Sequence, residues 1–231
     1  MPIPYWDPAP VHAGSVYLNW TWILWSSAGV LHHVLFLRDV SLSGPGARTA
    51  SAVHFLSLSS ALAGGFLYAK ATGGGLSIAV AASFGLAASV LWAIQRNLSL
   101  KEIAGLLSSA ARTIPIPAAV MRLGCVAEHA HRGAASDHWL AVEYPDGSRW
   151  DLAVLEVVFF LILAVVMKTR MVHAPWHAPT LLLSYGLFRL TIGPLQNEFV
   201  SAPIPPAGLV FCATGMILAY GVWRMKERLL S

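Results

Sequence analysis

Charge is scarce in this sequence: Lys, Arg, Asp and Glu together make 11% of 231 residues, while 56% are apolar. A soluble domain carries about 25% charged residues, so a compact fold in water would not cover its own surface here. Cysteine is nearly absent. The two present, Cys125 and Cys212, lie far apart in or beside apolar segments, which excludes a disulfide framework. The first fourteen residues hold no Lys or Arg, so they lack the basic start of a cleavable signal peptide, and the first apolar run is expected to be retained.

What the sequence does have is apolar runs of the length a bilayer requires, about 17 to 25 residues. Spans are read over 15–37, 50–69, 76–94, 102–121, 151–167, 176–192 and 206–223. The expected architecture is all-α: a seven-span helical membrane bundle forming a single integral domain over 1–231, with one long outside connection, 122–150. Arg112, Pro115 and Pro117 interrupt the fourth span. Small residues in the second and third, including Ala63-Gly-Gly, allow close helix approach.

Basic residues orient the bundle. With the N-terminus outside, the inside connections hold Arg38, Arg48, Arg96, Lys101, Lys168, Arg170, Arg224, Lys226 and Arg228. The outside connections hold only Lys70, Arg122, Arg132 and Arg149. An inside excess marks the cytoplasmic face, so the topology is N-out, C-in. It also accounts for the net charge of +4 without any nucleic-acid partner.

Ionisable groups at membrane depth are costly and are functional candidates by default. Arg122 stands at the outer end of the fourth span, Glu156 near the start of the fifth and Arg189 near the end of the sixth. At about 1.5 Å per helical residue, all three reach one depth on the outer side. Two guanidiniums and one carboxylate make a seat for an anionic lipid headgroup, because guanidinium binds phosphate bidentately. The alternative is a Glu156–Arg189 ion pair that only fixes helix packing.

Several motifs carry a resemblance. Arg122-Leu-Gly-Cys with Gly133 resembles the Arg-x-Gly-Asn or Arg-x-Gly-Cys signature of the prolipoprotein diacylglyceryl transferase family. Trp139-Leu-Ala-Val and Pro145-Asp-Gly resemble the segment that follows it. Glu156 falls where the family's His-Pro-x-x-x-Tyr-Glu motif ends. Arg189 in Tyr185-Gly-Leu-Phe-Arg resembles the arginine of the sixth helix, and Gly73-Gly-Gly-Leu resembles His-Gly-Gly-Leu. The likeness covers roughly residues 60 to 195.

The resemblance implies a multi-pass protein of the bacterial inner membrane that moves diacylglyceryl from phosphatidylglycerol to the lipobox cysteine of a preprotein. It also implies a lipid-phosphate site formed by Arg122, Arg189, Glu156, Gly124 and Gly133. Yet Gly73 and Leu155 stand where the family has its reactive His and Tyr, and Trp150 and Asp151 replace His-Pro. Glycine and leucine side chains carry no proton donor or acceptor. Either another base serves, with His129, His131 and Asp151 the nearest candidates, or the fold persists as a lipid-binding or assembly subunit of a larger membrane complex.

Two further readings come from histidines. Glu128, His129, His131, Asp137 and His138 include zinc-ligand types, but their spacing matches no defined zinc motif, so no metal is expected. His32, His33 and His54 lie near the inner ends of the first two spans, where imidazoles could hold a haem or pigment. Histidines bonded to water or backbone are the simpler reading, and no cofactor is expected.

Overall fold

A computed structural model describes the chain apart from residues 1, 6, 7, 10, 14, 15, 42–46, 73–77, 170, 171, 173, 196–206 and 231. It is mostly helical, with eight α-helices among the described residues. The elements are β1 (Ile3–Pro4), β2 (Val11–Ala13), β3 (Val16–Leu18), α1 (Trp20–Ser41), α2 (Ala47–Thr72), α3 (Ile78–Gln95), α4 (Leu100–Thr113) and α5 (Pro115–Ala127). There follow β4 (Arg132–Ala135), β5 (Val142–Tyr144), β6 (Gly147–Asp151), α6 (Leu152–Lys168), α7 (His177–Ile192) and α8 (Ala207–Leu230). The motif at Gly73-Gly-Gly-Leu, with Arg170 of the charge count, lies outside the described residues.

One helical stretch, Arg48–Leu67, is long and apolar enough to cross a membrane, and α4 with α5 makes a second if the bent pair is one span. Phe84–Gln95 and Gly208–Arg224 are apolar but shorter. The α6 helix has 17 residues and α7 has 16.

The fourth span, expected over 102–121, is two helices bent by 43°. Pro115 opens α5, and Pro117 follows within its first turn. Neither residue has a backbone N–H, so the ladder of α4 cannot run through them, whereas both are tolerated at a helix start. The α4 helix begins with a capping box: Ser99 N donates to Glu102 Oε2 at 2.8 Å, and Glu102 N donates to Ser99 Oγ at 3.3 Å. Glu102 is therefore a helix-capping residue on an exposed end.

The chain divides into two compact units. The unit of residues 33–110 is built on α2 and α3, which approach closely where Gly64 faces Phe84 and Gly85 faces Ser57. Its core is Phe36, Val40, Ala50 and Leu106.

The unit of residues 1–32 and 111–231 holds Arg122, Glu156 and Arg189. Helix α5 packs on α6, and α7 packs on α8 through Gly186 against Gly208 and Cys212. Ala118, Ala119, Phe160, Leu163, Met167 and Tyr185 form its core. Much of the expected outside connection, 122–150, has regular structure: α5 continues past Arg122 to Ala127, and a four-stranded sheet follows in the order β1-β5-β6-β4. β1 runs parallel to β5, and the other pairs are antiparallel. The β5–β6 hairpin pairs Tyr144 with Gly147, and Gly147 takes φ 114°, a conformation open mainly to glycine.

Candidate functional site

Helix α6 starts where it does because Asp151 caps it. Asp151 Oδ1 accepts from Ala153 N at 2.9 Å and Val154 N at 3.2 Å, satisfying two N–H groups that the first turn leaves open. Its other oxygen accepts from Tyr144 Oη of β5 at 2.8 Å, so the four-stranded sheet holds the cap in place. Burial, and then the adjacent Asp151 carboxylate, push the Tyr144 phenol well above its ordinary range, which keeps it a donor. Of the three candidate bases, Asp151 is thus committed to positioning the helix.

Five residues further, the same helix presents Glu156, which is 1% exposed. Three neighbours converge on it. Arg122 of α5 brings Nε to 2.6 Å from Oε2 and Nη2 to 3.3 Å from Oε1, a two-point contact. From α7, Arg189 Nη1 donates to Oε1 at 2.9 Å and Tyr185 Oη donates to the same oxygen at 3.2 Å. Tyr185 and Arg189 are four residues apart, hence on one helix face.

The two guanidiniums are not equivalent. Arg122 is 4% exposed, with Nη1 shared between His131 Nε2 at 3.2 Å and Cys125 Sγ at 3.8 Å. The Arg189 side chain is 24% exposed. One carboxylate against two guanidiniums leaves one positive charge over, and Arg189 is where an incoming anion would meet it. Such a charge in a low-dielectric setting favours an anionic ligand.

His131 follows the turn after α5. Desolvation of its ring, and then the Arg122 charge, push its pKa below the ordinary histidine value. A guanidinium only donates, so Nε2 accepts from it and the neutral ring carries its proton on Nδ1. His129 sits elsewhere. It takes φ 47°, stacks on Tyr5 at 4.4 Å, and places Nδ1 3.6 Å from Asp151 Oδ2. The structure therefore brings His131 to the arginine cluster and puts His129 with Asp151.

Gly124 and Gly133 serve close packing. A Cβ on Gly124 would lie 2.9 Å from Thr21 Cα, and the Gly124 carbonyl accepts from Thr21 Oγ1 at 3.2 Å. A Cβ on Gly133 would lie 2.5 Å from the Leu195 carbonyl oxygen.

Compared with known proteins, the chain matches no family model and no curated protein sequence.

Sequence reasoning assigned no role to Tyr185 or Cys125. The spacing of Tyr185 from Arg189 carried the signal, and Cys125 stands three residues after Arg122, on the same helix face. Among the described residues no group of three or more His, Cys, Asp or Glu is arranged to hold a metal. In the other unit, His33 and His54 pack ring against ring at 4.8 Å, so a macrocycle ligated between them would have to part the rings.

Proposed function

We propose that this chain is a multi-pass protein of the bacterial inner membrane, N-out and C-in, whose Arg122–Glu156–Arg189 cluster receives the phosphate of an anionic lipid. Its membrane placement is supported by exposed apolar side chains. On α6 alone Val158, Leu161, Ile162 and Val165 are each at least half exposed, an apolar face that lipid would cover and water would not. The charge count across the connections supports the seven-span topology.

The observation that carries the headgroup reading is the pairing of two guanidiniums with one buried carboxylate. Glu156 aligns both, so that Arg189 offers N–H groups without the entropy cost of ordering a free arginine. A phosphodiester headgroup of phosphatidylglycerol suits such a donor set.

The reaction that follows is that of a diverged prolipoprotein diacylglyceryl transferase. A thiol of the acceptor loses its proton to a base, the sulfur bonds the terminal glyceryl carbon, and the carbon–oxygen bond to phosphate breaks. Glycerol phosphate leaves with its charge held by Arg189. His131, neutral and at the cluster, is the base this chain offers. Its Nε2 must first release the Arg122 N–H.

A second reading keeps the lipid seat without the reaction, as a binding or assembly subunit. The glycine and leucine at positions 73 and 155 favour it. One experiment separates the two. Purified protein in vesicles containing phosphatidylglycerol is given a lipobox peptide, and mass spectrometry looks for a diacylglyceryl adduct on its cysteine. An adduct lost in Arg122→Gln and in His131→Asn establishes the transferase. No adduct, with lipid still bound and released by Arg189→Gln, establishes the binding role, whereas lipid binding unchanged in both arginine variants removes the headgroup seat.

A further inference from the structure

A second cationic site stands at the end of the α2–α3 hairpin. A cavity of about 330 Å3 there is lined by Arg48, Thr49, Ala52, Trp92, Arg96 and Leu98. It is a depression open to the surface, not an enclosed chamber. Arg48 and Thr49 lie in the first turn of α2, where backbone N–H groups lack helical partners. Arg96 follows α3 directly, and its guanidinium carbon lies 5.5 Å over the Trp92 ring. Both arginines are exposed. Among the described residues no carboxylate pairs with either of them.

We propose that this cavity binds a phosphate group, carried by an anionic lipid headgroup at the inner membrane face or by a free phosphate. Two guanidiniums and a threonine hydroxyl supply the donors that a phosphate accepts, and Arg forms them in a planar fork. The helix start adds partial positive charge of the same sign. Trp92 holds Arg96 by a cation–π contact, which spares part of the cost of ordering a long side chain. Counting basic residues puts this end of the hairpin inside, where anionic headgroups attract Lys and Arg. The lipid source rests on the membrane reading above; the phosphate chemistry does not.

The test uses the intact protein and two probes. In the first arm, phosphatidylglycerol bound to protein in phosphatidylcholine nanodiscs is counted by native mass spectrometry at rising phosphatidylglycerol content. In the second, detergent-solubilised protein is titrated with inorganic phosphate in a calorimeter. Arg48→Gln and Arg96→Gln should each weaken binding about fivefold, and the double variant more, with the melting temperature unchanged because both side chains are exposed. Loss confined to phosphatidylglycerol identifies the lipid source, and loss of inorganic phosphate identifies the free anion. Arg122→Gln reports on the outer cluster alone, so one site can fail while the other stands. A double variant that binds both probes like the parent protein overturns the proposal, as does a parent protein that binds neither.

Discussion

Tyr185 and Arg189 stand one helical turn apart on α7 and donate to the same oxygen of Glu156, at 3.2 and 2.9 Å. The second oxygen is left to Arg122. Three donors from two helices thus depend on one carboxylate of a third, and the site is as sensitive to that carboxylate as to either arginine.

Glu156→Gln removes the negative charge that both guanidiniums share, one of them almost fully buried. Breaking such a pair costs about 3–5 kcal/mol, so the variant should be less stable by that order in chemical denaturation of the solubilised protein. Arg122→Met together with Glu156→Met should recover part of the loss. A single variant as stable as the parent would mean that the cluster is not formed.

His131 makes stability fall with acid. Its folded pKa lies below the unfolded value of about 6.5, so near and below that pH the unfolded chain takes up a proton that the folded protein resists. Stability is full above about pH 6.5 and declines as pH drops toward the folded pKa. Melting curves between pH 7.5 and 5 should show a shallower decline in His131→Asn than in the parent; parallel curves would place the titration elsewhere.

Gly124→Ala puts a methyl 2.9 Å from the Thr21 backbone. Overpacking of this kind costs about 1–3 kcal/mol, here borne where α1 meets α5. A lowered melting temperature with lipid binding retained is the expected result, since the glycine touches α1 and not Glu156. Lost binding at unchanged stability would return Gly124 to the lipid site.

Asp151→Ala should cost about 1 kcal/mol for the lost cap and more for the Tyr144 hydroxyl left without its acceptor. Asp151→Asn keeps an oxygen for the helix N–H groups and should be milder. Hydrogen exchange of Ala153 and Val154 amides distinguishes them, with fast exchange in the alanine variant only.

Arg122, Glu156 and Arg189 were legible in the sequence because a charged residue inside or at the end of an apolar run is conspicuous whatever the fold. Their meeting required only comparable depth. Asp151 was named among the nearest bases because it stands in place of the resembled His-Pro pair; an Asp immediately before an apolar helix is also a start signal, and it is as a cap that it meets the Ala153 and Val154 amides. The separation of His129 from His131 was hidden, because it turns on a left-handed residue and a short irregular strand pair. Three- to five-residue strands in 132–151 leave too little alternation to read. The break at Pro115 was visible as an interruption, but the amphipathic helix before it was merged into one span.

The distance from the Asp151 cap to Glu156 acts as a ruler. Inserting or deleting one residue between them would turn the carboxylate by about 100° around the α6 axis, away from both arginines. A residue gained in the exposed stretch 137–139, between β4 and β5, would move nothing that α6 carries. Length variation among homologous chains should therefore be free in that stretch and forbidden across the five residues after Asp151, a signature that would mark selection on this cluster.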